Sequence, residues 1–510
     1  MRRLIATLAL IVIYFVTNAQ FINDGATITI QSGATLRIES DFQNNGTGTL
    51  TNNGTLEVSG NFTNAGTAIL TPSIGLVKFI GTGNSNLDAG GDPLNNVEMA
   101  KTTSTGTLTL IAPASINGNL SFTGTGNNRI LVGNYDLTMT GSGSLVTATT
   151  DHPTNGWIVT DKTGTNTGKF IKNIASGSST KTLEIGDDTN YSPVVMAINA
   201  STAGTIGARV LTSNLTAKYS EASDFINREW VVSTSNLTSN TLTGTYVAGD
   251  ITGTQSLIKG ATYYSGDWRF DGSSGSGNTL TASTTNSDVR FSGLNFFGKV
   301  DLKAFLQGAF SSGSMSTTLN TSGLIPLISP YTDAPATATS IPSGITDWVK
   351  LELRDPTVPT TVLGISSAFI KSDGSIVGLD GTSLPRIKNG NATSIVAVFH
   401  RNHLPFRTNV GIDVVNPTTE DFTFANVKLY DNGTDNAPLN TVSSRMVMWP
   451  CDATGSTFLV NSTDLGFVKS QSATTPTGYL KADVNLSGAC NSTDLGLTKS
   501  MTAVPKTADL

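Results

Sequence analysis

The chain reads as a mainly β protein with an N-terminal parallel β-helix-like solenoid, two β-sandwich-like domains and a small α-helical C-terminal module. Three observations predict this. Residues 32–70 repeat without a gap at a spacing of twenty. The middle of the chain alternates apolar and polar residues in short runs and shows no helical periodicity. Near the end, "NSTDLGFVKS" (461–470) is followed by "NSTDLGLTKS" (491–500). Composition agrees, because charged residues make up 13% of the 510, about half the usual ~25%. Gly, Thr, Ser and Asn fill the gap, which favours short strands and turns.

The first nineteen residues are a targeting segment. Arg2 and Arg3 precede an apolar run from Leu4 to Val16, and Thr17, Asn18 and Ala19 supply small residues before Gln20. The run is too short to span a bilayer and matches a signal peptide over 1–19, cut after Ala19. The expectation is a secreted chain, extracellular or held at the cell surface, with no transmembrane segment after cleavage. Net charge is −6 and the basic residues do not cluster, so nucleic acid is not an expected partner. An oxidising compartment and an even count permit one disulfide, Cys451 with Cys490. Two buried free thiols are the alternative.

Residues 20–150 form the predicted solenoid. "SGATLRIESDFQNNGTGTL" (32–50) aligns with "NNGTLEVSGNFTNAGTAIL" (52–70), so that Leu36 matches Leu56, Phe42 matches Phe62 and Asn44 matches Asn64. "GLVKFIG" (75–81) is a third copy with one residue inserted, and "GNLSFTG" (118–124) and "YDLTMTG" (135–141) echo it. Short strands at a period near twenty stack as coils. Leu36, Ile38, Leu56, Val58, Phe79 and either Leu76 or Val77 then form inward ladders.

Segment 151–300 carries strand-like runs such as "GWIVTD", "REWVVST" and "ATYYSGDWRF", which suggest a β-sandwich. Trp157, Trp230 and Trp268, with Tyr263 and Tyr264, are core candidates, with sugar stacking, above all near Trp268, as the functional alternative. Segment 301–445 reads as a second sandwich. In "DWVKLELRD", Val349, Leu351 and Leu353 alternate with Lys350, Glu352 and Arg354. In "SIVAVFHRNHL", a regular strand puts His400 and His403 on opposite faces. The Pro-rich stretch 324–344 is either a long loop or a linker. "DWVKLELRD" and "FHRNHL" resemble a β-rich module of bacterial surface and hemagglutinin-like proteins that precedes a C-terminal repeat, a resemblance that implies surface display.

The tail, 446–510, carries a metal-ligand pattern. With Asp483 as position 1, Asn485, Ser487, Gly488, Ala489, Asn491 and Asp494 fall at 3, 5, 6, 7, 9 and 12. That is the oxygen grid of an EF-hand-type calcium loop, with Ala489 offering its carbonyl and Asn491 acting through water. Asp, rather than Glu, at the last position resembles a dockerin, a pair of calcium loop–helix repeats that binds cohesin domains. The resemblance covers about 448–502. It implies that Ser462, Thr463, Ser492 and Thr493 face a cohesin-like partner domain, or another cell-surface protein. The first loop offers Asp452, Thr454, Ser456 and Asp464, but Thr457 replaces the Gly and one extra residue shifts Asp464 to position 13. Calcium is therefore expected in 483–494 more than in 452–464, at the weak end of the affinity range.

No catalytic residue is assigned. HExxH, GxSxG, a P-loop and CxxC are absent, and the three histidines, His152, His400 and His403, form no motif. The reading is a non-catalytic structural or adhesive protein with a docking tail. The alternative is a carbohydrate-active enzyme (hydrolysing or lysing glycosidic bonds) or a binder recruited to a polysaccharide-degrading assembly, which exposed aromatics and a carboxylate-lined cleft would favour.

Overall fold

The computed structural model describes residues 20–510 apart from 72, 103–105, 125–127, 142–144, 148–155, 213–214, 216, 425–427, 434–436, 456–457 and 509. The expected leader, His152 and Ser456 lie outside the described residues. The protein is mainly β, and it opens with a β-solenoid of about seven turns. No helix among the described residues is long and apolar enough to cross a membrane.

Each early coil is three short strands. The first has Gln20–Asp24, Thr27–Ile30 and Thr35–Ile38, and the second has Asp41–Asn45, Thr49–Asn52 and Thr55–Val58. Successive coils pair in parallel, which gives every strand hydrogen bonds without a hairpin. Alternation points every second side chain inward. Leu36, Leu56, Val77, Val97 and Leu120 stack as one column, and Ile38, Val58, Phe79, Met99 and Phe122 as its neighbour. Val77 rather than Leu76 takes the third place, because the inserted residue moves the offset from twenty to twenty-one. Leu36 is only partly buried, since its coil is the terminal one described.

The matched asparagines have a structural role of their own. Asn23 Nδ2 donates to Asn44 Oδ1 at 2.7 Å, and Asn44 Nδ2 donates to Asn64 Oδ1 at 2.7 Å. Each amide also reaches a carbonyl within its own corner, at Ala26, Gly48 and Ala68. A corner cannot use the regular ladder for these groups, so the side chain satisfies them. Outside, Arg37, Glu57, Lys78 and Glu98 face one another in register and alternate in sign, with Arg37–Glu57 at 3.4 Å and Lys78–Glu98 at 3.2 Å. Opposite charges directly across a ladder favour this register over a slipped one.

The parallel ladder continues beyond the boundary that the sequence reading places at 150, with Arg129–Leu131 paired to Trp157–Asp161. Leu108, Ile130, Ile158 and Ile185 form one column. Phe170–Ile174 pairs in parallel with Leu137–Met139 on one edge and antiparallel with Gly204–Leu211 on the other. The solenoid thus supplies the strand on which the next unit grows. That unit has two antiparallel sheets. One contains Gly204–Leu211, Glu229–Thr234, Asp288–Asn295 and Ile258–Tyr264, and the other Gly177–Leu183, Val194–Ala200, Leu237–Thr245 and Thr279–Thr284. Trp230 packs on Phe291 with ring centroids 5.3 Å apart. Gly244, from the other sheet, lies where a Cβ would come within 2.8 Å of Trp230, so only glycine leaves room for the indole.

A further antiparallel sheet runs in the order Ile376–Val377, Val362–Lys371, Ile345–Arg354, Thr393–His400, His403–Arg407. Both faces of Ile345–Arg354 are buried, not one. The Pro-rich stretch covers the polar side: Trp348 Nε1 donates to Pro326 O at 2.9 Å, and Lys350 reaches Asp333 at 2.7 Å. It is a strap on this sheet, and it is not a linker.

Asn44 sits in mid-ladder, so Asn44→Ala strands the amides of Asn23 and Asn64. We expect a loss of about 1–3 kcal/mol in urea unfolding of the solenoid. The outward Thr63→Ala in the next coil is expected to cost about 0.5 kcal/mol or less. Equal losses in the two variants would mean that the asparagine ladder carries no stability.

Candidate functional site

The repeated tail sequence has a local explanation. Asn461 and Asn491 are N-cap residues of the helices Ser462–Ser472 and Ser492–Met501. Each Asn Oδ1 accepts the amide two residues on, Thr463 or Thr493, at 2.7 Å. Asp464 and Asp494 accept the amide of their own cap residue, at 3.1 and 2.9 Å. "NSTD" is a reciprocal capping box that satisfies helix-end amides otherwise left without partners. The Asn491 side chain thus serves the helix end, and the sequence reading missed the matching role of Asn461.

The same aspartates close the loops. Asp494 Oδ1 accepts from Asn485 N at 3.1 Å, and Asp464 Oδ1 accepts from Thr454 N at 2.9 Å. At the loop starts, Asp483 accepts from Ser487 N (2.9 Å) and Gly488 N (2.7 Å), and Asp452 accepts from Gly455 N (3.1 Å). Asp464 thus takes the place that Asp494 takes, despite its later position. The extra residue is absorbed before the cap, where Phe458 adopts φ 50° and Leu459–Val460 pairs with Lys506–Thr507. Asn485 Oδ1 accepts from Ser487 N at 3.0 Å, and Ser487 Oγ donates to the Ala489 carbonyl at 3.2 Å.

The loop carboxylates are buried in facing pairs. Asp452, Asp464, Asp483 and Asp494 are all at most 3% exposed. Burial pushes Asp452 up to about 7, with Asp464 adding to the rise. Burial also raises Asp483, as does nearby Asp494, while the amides of Gly488 and Ser487 oppose it; burial raises Asp494 too. Two buried carboxylates in one loop form a donor set that fits a hard cation, which would offset their repulsion and their loss of solvent. Each loop has two carboxylates, and among the described residues no group of three or more His, Cys, Asp or Glu is placed to hold a metal.

Cys451 and Cys490 are free, buried thiols rather than the expected disulfide. Burial pushes them up to about 12 and about 11. Both belong to the small apolar core between the helices, with Val460, Val468 and Ala482, where a thiol packs as a small hydrophobe.

Loop two is fastened to the preceding sheet by "FHRNHL". The strand pair turns over at Arg401 and Asn402, with a register irregularity between Val398 and His400. His400 and His403 therefore come together, contrary to the regular-strand expectation, with their Nδ1 atoms 3.0 Å apart. Gly308 N donates to His403 Nε2 at 3.1 Å, which puts the His403 proton on Nδ1. His400 Nδ1 then accepts, and His400 Nε2 donates to Asp347 Oδ2 at 3.1 Å. Asp347, fully buried, also takes Arg401 Nε at 3.0 Å and Tyr479 OH at 2.5 Å. Burial alone would raise its carboxyl, but Arg401 and the bonds from His400 and Tyr479 hold it well below the usual carboxylate range.

From the same turn, Arg401 donates to Leu480 O, and Asn402 Nδ2 donates to Lys481 O (3.0 Å) and Asp483 O (2.8 Å). Leu486, at φ 56°, inserts into the core of the preceding unit. The opposite surface is open. Residues 461–470 and 491–500 show the same pattern of exposure position by position, with Ser462, Thr463, Ser492 and Thr493 all exposed. Of the stacking candidates, Trp157, Trp230 and Trp268 are at most 2% exposed, and Trp268 Nε1 donates to Ala217 O, whereas Tyr264 is exposed.

Asn402→Ala removes donors from two carbonyls of the tail. The expected cost is about 1–3 kcal/mol, read as earlier proteolytic release of the tail in rising urea. The histidines give a pH signature. Burial lowers His400 and lowers His403 further, helped by His400 and Arg401. Below pH ~6.5 the unfolded chain takes up protons that the folded chain refuses, so the junction loses stability as pH falls. His403→Gln should flatten the fall between pH 7 and 5 relative to the parent chain; an unchanged slope would assign the acid sensitivity elsewhere. No family model, curated protein or solved structure matches the chain.

Proposed function

We propose that the chain is an exported, non-catalytic extracellular protein whose C-terminal module docks, with calcium, to a cohesin-like domain. In this reading the solenoid and the antiparallel sheets, taken as sandwich-like domains, form a rigid spacer, and the tail is the dockerin-like element. The observation that carries it is the matched exposure of the two decapeptides. Helix packing alone requires the buried positions to repeat, but it places no demand on the exposed ones. Ser462, Thr463, Lys469 and Ser470 nevertheless recur as Ser492, Thr493, Lys499 and Ser500. A partner that reads this face accounts for the recurrence. Calcium, held by Asp483 and Asp494 with Asn485, Ser487 and the Ala489 carbonyl, would neutralise a buried pair that burial and repulsion both oppose.

The test is thermal unfolding of the full chain in 10 mM calcium (roughly tenfold or more over a Kd of ~10⁻⁴–10⁻³ M) against chelator. Saturation at that ratio stabilises by about 1.4–2.7 kcal/mol. Asp483→Ala and Asp494→Ala should abolish the calcium shift, and Asp464→Ala should leave most of it. An equal shift in the parent chain and Asp483→Ala would remove the ion from this loop. For docking, Thr463→Asp combined with Thr493→Asp should abolish capture of the chain by immobilised cohesin domains that bind the parent. Absence of capture by any cohesin domain would overturn the docking reading.

A further inference from the structure

A second surface, far in sequence from the tail, has the form of a ligand site. A cleft of about 450 Å³ opens between the second unit and the sheet that follows it, a volume in the range that holds small ligands. Its floor is apolar: Phe270 and Phe296 pack with centroids 5.1 Å apart, beside Val415. Both rings are under 8% exposed, so they support a ligand from beneath and offer no open stacking face. The rim is polar, with Lys259, Thr393 and Asp413 from strands and Asp271, Ser273 and Asn391 from loops.

The rim is already positioned. Asp271 accepts from Asn416 Nδ2 at 2.5 Å, a bond that ties one unit to the next. Asp413 accepts from Val415 N at 2.8 Å and Asn416 N at 3.0 Å through one oxygen. Each carboxylate retains a second oxygen. Thr393 and Asp413 are cross-strand neighbours. The loop bearing Asn391 is held by Asn389 N donating to Phe296 O at 2.8 Å. At Gly390 (φ 156°) a Cβ would come within 2.7 Å of Leu353, so glycine lets this loop lie against the floor. Ser273 Oγ is buried and has no hydrogen-bond partner among the described residues.

We propose that this cleft binds a neutral oligosaccharide by the edges of its sugar rings. Carboxylates, carboxamides and hydroxyls around a shallow apolar floor match a ligand dense in hydroxyls. Two carboxylates against one lysine disfavour acidic sugars, and the covered rings disfavour a purely aromatic or aliphatic ligand. The proposal is independent of the docking reading, since the cleft shares no residue with the tail.

Calorimetry on the full chain would use cellohexaose, xylohexaose and mannohexaose, with hexagalacturonate as the acidic probe. At least one neutral hexasaccharide should bind with a Kd of millimolar or tighter, and hexagalacturonate should not. Asn391→Ala and Asp413→Asn should each weaken that binding tenfold or more with the melting temperature unchanged, while Tyr264→Ala, outside the cleft, should not. No heat from any neutral hexasaccharide, binding that prefers the acidic probe, or binding that survives both cleft substitutions would each overturn the proposal. Asn391→Ala lies on an exposed loop and secures the test even if Asp413→Asn unfolds.

Discussion

Three side chains converge on the carboxylate of Asp347: His400, Arg401 and Tyr479. A charge buried to this extent is tolerated only where its lone pairs are met, and removing one partner of such a pair typically costs about 3–5 kcal/mol. The requirement explains why the neighbouring elements sit as they do. Tyr479 must come from the tail, Arg401 and His400 from the turn beyond the sheet, and Asp347 from the central strand. The strap joins the same layer through Tyr331 OH, which donates to the Trp348 and Phe399 carbonyls. Moving the turn or the tail leaves an uncompensated charge, and moving the strap strips two carbonyls of a donor, so the sheet, strap and loop two are fixed relative to one another.

The solenoid solves a related problem for the backbone. A stack of coils satisfies interior strands and leaves its ends as open edges, which are templates for further pairing. At its C-terminal end this edge is used: Phe170–Ile174 takes Gly204–Leu211 as an antiparallel partner. The core is correspondingly continuous, so that Leu56, Phe79, Phe170, Trp230 and Phe291 belong to one apolar cluster. The β-rod and the first antiparallel unit share one core, and the rod is not a separate stalk with a flexible joint.

The tail combines two demands on the same residues. Asp464 and Asp494 cap their helices and also close their loops. A duplicated sequence that had lost every cation would still need both aspartates for the caps. Persistence of Asp at these positions is therefore weak evidence for metal, and the buried facing partners Asp452 and Asp483 carry the argument instead, since the caps make no use of them.

The twenty-residue period, with Leu56 on Leu36 and Phe62 on Phe42, was legible in the sequence because each coil repeats its own local pattern and pairs with its neighbour in register. The two tail helices were legible for the same reason, since the repeated decapeptide is a local pattern, although its role as a helix cap was not read from it. The pairing of His400 with His403 was not, because the chain turns over at Arg401 and Asn402 and makes the two histidines cross-strand partners on one face. Nor was the burial of Lys350 and Glu352, whose alternation imitates a solvated face until the strap covers it and pairs them at 3.0 Å. The repeat spacing located the two tail loops, yet only the tertiary structure decided that loop two lies against Arg401 and Asn402. Its carbonyls at Leu480, Lys481 and Asp483 have partners some eighty residues away, and no local pattern encodes which distant donor meets a backbone carbonyl.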